Sequence, residues 1–290
     1  VIIAQGDELT AGQTVDTNSS GLSEQLWNLG LQVRRVITVP DRMDDVAWDT
    51  DRIGFRTFGP TVALPAPKGE GLKTSGVDVW TKSTREMIVN KFYKAGNYHT
   101  DHGEGMDYFK VGSSAGCGMI GSFTNGKFTT SANFIKAKVL YNGPLQSAFQ
   151  LTYKGEAEPR TISINAGSWL YFIQAPSVKN PAAGLVLHTK NAKVTIGKNY
   201  VTVWEEAHGK DGITGMAIIA PHGFSAKPRV VNGQLVVPLK SDYYHAGACW
   251  NKSGDFATAA EWETYIKGAA LPGVGTTYTF PQDRRDVCEK

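Results

Sequence analysis

Beyond residue 40 the apolar residues recur mostly with period two and in short runs. Val201, Val203 and Glu205 alternate with Thr202, Trp204 and Glu206, the signature of a strand with one buried face. The same reading predicts strands over 53–58, 108–112, 134–141, 147–153, 160–166, 169–174, 193–196, 200–205, 215–220, 229–231, 235–239 and 243–250. Asn125-Gly126 and Asn232-Gly233 are dipeptides that tolerate positive φ and close hairpins. Helical spacing is confined to 82–93 and 257–268 in this region, and Trp262, Tyr265 and Ile266 read as a packing face. The prolines and glycines of 60–73 mark a surface loop. Many short strands and few helices predict a mainly β chain, an antiparallel sandwich.

The first 40 residues follow another pattern. An apolar strand at 1–4 precedes Asp16-Thr17-Asn18-Ser19, whose side-chain oxygens suit a helix N-cap. Leu22, Leu26 and Leu29 then recur at helical spacing, Gly30 stops the helix, and 31–39 reads as a second strand. This is a βαβ unit, so the expected division is a partial α/β fragment over 1–40 and a β-sandwich over 41–290.

Composition narrows the function classes. Of 290 residues, 41% are hydrophobic and 20% charged, which argues against disorder. Lys and Arg number 30 against 27 Asp and Glu, and so small and scattered an excess argues against nucleic acid as a partner. No apolar run is long enough to cross a membrane as a helix, so no membrane partner is expected. The chain opens without Met or a charged-then-apolar leader, so any signal peptide is expected to be gone already. Cys117, Cys249 and Cys288 allow one bridge and exclude a disulfide scaffold, and none has metal-ligand spacing. Oligomeric state stays open.

Ionisable residues concentrate in two places. Between Tyr98 and Lys110 lie His99, Asp101, His102, Glu104, Asp107 and Tyr108, among glycines that let the backbone bend. So many ionisable groups in one stretch fit a polar site better than a core, where each would need a partner. The second cluster, Asp242 to Asp255, contains Tyr243, Tyr244, His245, Trp250 and Lys252. A Tyr–His pair beside a Trp suits a sugar, because aromatic faces stack on C–H faces while polar groups orient hydroxyls.

Two resemblances follow from these residues. Gly6-Asp7-Glu8-Leu9 with Gly12 to Ser19 resembles the start of the molybdopterin-binding domain of the competence/damage-inducible family, as far as about Val39. From about residue 40 to 267, the blocks Asp44 to Ile53, Gly76 to Trp80, Tyr98 to Gly112 and Tyr244 to Asp255 resemble an uncharacterised bacterial β-sandwich family. That domain-of-unknown-function family is found among polysaccharide-utilisation enzymes. It is similar to the galactose-mutarotase-like supersandwiches, an architecture shared with several polysaccharide lyases. The resemblance implies a poly- or oligosaccharide as partner and a periplasmic or secreted location.

The preferred expectation is a lyase that cleaves a uronate-containing glycan by β-elimination. That reaction needs a cation on the carboxylate, a base for the neighbouring proton and an acid for the leaving oxygen. Arg85, Lys82 or Lys110 would supply the first, His102 or His99 the second, and Tyr244 or Tyr108 the third. Asp101 would orient a histidine, and His245, Tyr98, Glu104, Asp107, Trp250 and Lys252 would complete the site. The alternatives are a glycoside hydrolase with paired carboxylates from Asp101, Glu104 and Asp107, a sugar epimerase or mutarotase, and a carbohydrate-binding protein without turnover. No cofactor is firmly implied; Asp101 and Asp107 are candidates for a structural calcium site.

Overall fold

A computed structural model describes residues 2–5, 36–39, 45–143 and 145–271. The strands are β1 (Ile2–Gln5), β2 (Val36–Val39), β3 (Asp45–Asp49), β4 (Gly54–Phe58), β5 (Val77–Lys82), β6 (Gly105–Met106), β7 (Cys117–Thr124), β8 (Lys127–Thr130), β9 (Lys136–Asn142) and β10 (Gln146–Thr152). They continue as β11 (Arg160–Asn165), β12 (Leu170–Gln174), β13 (Pro181–Val186), β14 (Lys193–Ile196), β15 (Tyr200–Trp204), β16 (Thr214–Ile219), β17 (Arg229–Val231), β18 (Gln234–Pro238) and β19 (Tyr243–Trp250). Two helices accompany them, α1 (Val89–Ala95) and α2 (Ala259–Ala269).

The mainly β, antiparallel architecture expected from the pattern is present. An eight-stranded antiparallel sheet runs β14-β15-β16-β19-β12-β11-β10-β9. A five-stranded sheet, β17-β18-β13-β7-β8, and a four-stranded one, β3-β4-β5-β6, face it. The sandwich core holds Phe149, Ile173, Met216 and Tyr244 from the large sheet, Met119 and Val237 from the second, and Trp48, Phe55 and Val79 from the third. Trp48 stacks on Phe55 and meets Tyr171 edge-on. Each such side chain contributes about 1.5 to 3 kcal/mol by leaving water.

Local chemistry explains the joins. Asn125 and Gly126 adopt φ of 51° and 77°, and Asn232 and Gly233 adopt 49° and 75°, so both dipeptides close the predicted hairpins, β7–β8 and β17–β18. Helix α2 carries a capping box, with Thr258 and Glu261 exchanging bonds with each other's backbone N–H. Its Trp262 and Ile266 are fully buried, so that face is packing as read from the sequence.

The differences are instructive. The helix predicted over 82–93 begins only at Val89, because Lys82 ends a strand over 77–82 and the chain bends through 83–86 before the helix. The stretch 108–112 is not a strand; Tyr108 is held by its hydroxyl against Thr214, and Gly112 turns with φ of 55°. Strands β3, β7 and β13 escape the pattern because they are short or rich in glycine and alanine. At the amino end β1 and β2 pair in parallel, as a βαβ unit requires, while the helix predicted between them lies outside the described residues. Cys117 and Cys249 are both free and buried; Cys288 lies outside the described residues.

Candidate functional site

The four-stranded sheet has two unlike faces. Phe55, Val77 and Val79 point into the core. Alternation therefore sends Arg56, Asp78, Trp80 and Lys82 to the other face, where Arg56 and Asp78 are cross-strand partners. Helix α1 and residues 98–110 cover that face, with Trp80 packed on Ile88, Val89 and Phe92.

Residues 98–107 are shaped by their own hydrogen bonds. Asp101 accepts from the Gly103 and Gly105 N–H groups, closing a turn. At Gly105, with φ of 129°, a β-carbon would lie 2.1 Å from the Thr81 carbonyl, so only glycine lets β6 pair with β5. The Asp107 N–H donates to the Tyr98 carbonyl at 2.8 Å, and the His99 ring donates from Nδ1 to the Asp107 carbonyl at 2.8 Å. Tyr98 lies half-buried on Trp80 at 5.0 Å between ring centres.

The result is a cluster of charged groups. Arg56, 4% exposed, is paired with Asp45 at 2.6 Å and with Glu70. Asp78 accepts from the Val79 N–H and the Trp80 indole. Burial, then the charge of Asp107, pushes the Asp78 carboxyl well above the ordinary range. Asp107 is pushed up to about 7, chiefly by burial, with Arg56 and Lys110 pulling the other way. Its Oδ1 is buried and has no partner among the described residues. His99 remains largely exposed, with Nδ1 3.7 Å from the Asp107 carboxylate. A carboxyl with one unpartnered oxygen that titrates near neutrality beside an open imidazole is equipped to give and take protons.

The other predicted residues divide clearly. Lys82 is fully buried, with its ammonium on Asp49, Thr50 O and Glu86 O, so it is a tie within the fold. Arg85 makes a two-pronged ion pair with Asp255. His102 is exposed and bonds the Asn97 carbonyl. Glu104 pairs with Lys91, while Lys110 is exposed at the cluster's edge. Tyr108 is anchored on Thr214 and stacks on His208, and burial raises its hydroxyl pKa. His188, which reads as a lone loop histidine, bridges Glu205 and the Lys110 carbonyl.

The second sequence cluster meets the first only at its edge, where Tyr108 bonds Thr214, the cross-strand partner of Trp250. Tyr244 is fully buried and donates to the Gly118 carbonyl. Trp250 is 1% exposed and donates to the Asp211 carbonyl, so its ring is no platform. Lys252 lies over that ring and donates to Lys210 O. His245 alone faces a cavity, on the outer side of the eight-stranded sheet. Among the described residues no group of three or more His, Cys, Asp or Glu is placed to hold a metal, and Asp101 is used by its own turn.

Arg56, Asp78 and Glu70 escape a reading by residue type. For Arg56 and Asp78 the signal was a charge within an apolar strand, Phe55-Arg56-Thr57 and Val77-Asp78-Val79, which demands a buried partner, whereas Glu70 lies between loop glycines and carries no such signal.

The family described as Domain of unknown function (DUF4861) matches residues 5–271. The chain belongs to that family. Its DUF4861 region includes both the charged cluster and the cavity. Uncharacterized protein P7 of Formosa agariphila is 32% identical over 261 residues, covering 79% of this chain and 65% of that protein. This chain therefore spans less than two thirds of that relative. A CinA-like protein of Anaeromyxobacter sp. (strain K) is 58% identical over 45 residues, 16% of this chain and 11% of that one. A CinA-like protein of Leptospira biflexa is 54% identical over 41 residues, 14% and 10% of the two chains. No solved structure matches.

Proposed function

We propose that this DUF4861 chain is a carbohydrate-active enzyme that works by general acid–base catalysis, with Asp107 as the proton donor. The observation that carries the reading is the buried, unpartnered Asp107 oxygen on a carboxyl that titrates at about 7. A group with that pKa is protonated often enough at neutral pH to protonate a leaving oxygen. Burial chiefly, with the charge of Glu70 adding to it, keeps the proton on Asp107. Glu70, paired with Arg56 and about half exposed, is the second carboxylate that hydrolysis requires. Tyr98 on Trp80 supplies an aromatic face for a sugar ring.

This moves the preferred reaction from elimination to hydrolysis. Lys82 and Arg85, the cations that motivated elimination, are engaged with Asp49 and Asp255. Elimination keeps one supporting observation: Lys110 is exposed beside Asp107 and His99, where it can neutralise a uronate while His99 takes the proton. A polymeric glycan as substrate places the enzyme in the periplasm or outside the cell. Acidic and neutral polysaccharides, followed for reducing ends and near-ultraviolet absorbance together, test the assignment. Reducing ends without absorbance are expected. A rise in both transfers the reaction to elimination, and full activity of Asp107→Asn removes Asp107 from it.

A further inference from the structure

Strand β19 lies in the middle of the eight-stranded sheet, between β16 and β12. Tyr244, Ala246 and Ala248 point into the sandwich core, so His245 projects from the opposite face. Strand register sets a row across that face: Ser163 opposite Phe172, Phe172 opposite His245, and His245 opposite Ile219. All four line a cavity of about 540 Å³, closed on another side by Ser168 and by Tyr265 and Gly268 of α2. That volume lies within the usual range for small-molecule sites.

The lining contains no Lys, Arg, Asp or Glu. His245 is 7% exposed, and its Nε2 is buried with no partner among the described residues. A polar atom left unsatisfied on the wall of a cavity calls for something inside to bond it. Phe172 meets the His245 ring edge-on at 5.4 Å, and Tyr265 adds a second aromatic surface. Apolar ring faces, hydroxyl side chains, a neutral imidazole and no charge match one kind of ligand, a small uncharged polyol with an apolar face.

We propose that this cavity binds a neutral pyranose unit, with a hydroxyl on His245 Nε2 and a C–H face against Phe172 and Tyr265. A uronate or sulfated sugar does not fit, because its charge would be buried with no cation beside it. The site is separate from the Asp107 cluster, and it stands whether or not that cluster turns a glycan over.

The test is titration of the full chain with methyl glycosides of neutral hexoses and deoxyhexoses, with glucuronic acid alongside, followed by calorimetry and by the His245 ring resonances. Wild-type protein is expected to bind a neutral glycoside saturably with a Kd of roughly millimolar, and to move the His245 resonances. Gly268 lines the cavity and a β-carbon there meets nothing within 4 Å, so Gly268→Phe is the variant designed to crowd the cavity without removing a contact. It should weaken binding by about tenfold or more, as should His245→Phe, while melting curves report that each variant is folded. Asp107→Asn should bind as wild type does. Absence of saturable binding by every neutral glycoside overturns the proposal. So does binding that survives Gly268→Phe, disappears in Asp107→Asn, or is matched by glucuronic acid.

Discussion

The two outer faces of the sandwich solve opposite problems. On the four-stranded sheet, charge is dense: Arg56, Asp45, Glu70, Asp78 and Asp107 are gathered under Tyr98 and His99. On the eight-stranded sheet a cavity is lined without Lys, Arg, Asp or Glu, and His245 and Tyr265 are the ionisable groups on its wall. Burial acts on both faces and always disfavours the charged form. It therefore raises a carboxyl and lowers an imidazole, taking Asp107 to about 7 and His245 to about 4. The charged face is thereby equipped for proton transfer near neutral pH. The uncharged face keeps its histidine neutral there, as a fixed donor and acceptor suited to holding a ligand.

The largest expected effect separates the faces by activity. Asp107→Asn keeps the shape and removes the proton, so turnover should fall by roughly 100- to 10,000-fold if Asp107 is the general acid. The same change relieves a buried carboxyl, so the chemical-denaturation midpoint should not fall at pH 8. A parallel loss of activity and midpoint would instead make Asp107 a structural tie. Arg56→Met comes next, since it leaves Asp45, Asp78 and Asp107 without their shared cation. Breaking a buried ionic cluster costs roughly 3 to 5 kcal/mol, readable as a lower urea midpoint. An unchanged midpoint would show that the cluster is not held together by Arg56.

How far these faces can be read without coordinates differs too. The β architecture was legible because period-two alternation is written directly into segments such as 200–204 and 243–250. Asp107 and His99 were legible because ionisable residues crowd one glycine-rich stretch. Lys82 and Arg85 look like free cations in the sequence, and only tertiary contact sets Asp49 and Asp255 against them. Trp250 and Tyr244 belong to the same limit, since an aromatic on a central strand reads alike as platform or core. The cavity has no signature of its own, because it is made by strand register and by the packing of α2 beside the sheet.

A pH series sharpens the comparison. His245 has its folded pKa lowered, so its contribution to stability is complete above the unfolded value near 6.5 and is lost as pH falls toward about 4. At roughly 1.4 kcal/mol per unit, that window amounts to about 3 kcal/mol. Asp107 has its folded pKa raised, so its contribution is complete below the unfolded value and is lost as pH rises toward about 7. Relative to wild type, His245→Phe should therefore gain stability as pH falls from 6.5 to 4. Asp107→Asn should gain stability as pH rises across the same interval. Urea midpoints of the three proteins at half-unit steps measure both slopes, and two slopes of the same sign would refute the assignment of burial as the common cause.

The smallest expected effect probes whether the space beside α2 is truly open. Gly268 sits one residue inside the end of that helix, where glycine is a poor helix former, and a β-carbon there touches nothing within 4 Å. Gly268→Ala should therefore stabilise the chain by roughly 0.5 to 1 kcal/mol, from helix propensity and from fewer conformations in the unfolded state. The methyl group is too small to fill a cavity of about 540 Å³, so binding at His245 should persist. Loss of stability in Gly268→Ala would mean that α2 closes down on the sheet in solution and that His245 is enclosed by protein. A gain in stability with binding retained would leave Gly268→Phe as a clean block, and the contrast between one methyl and one phenyl would then report cavity occupancy alone.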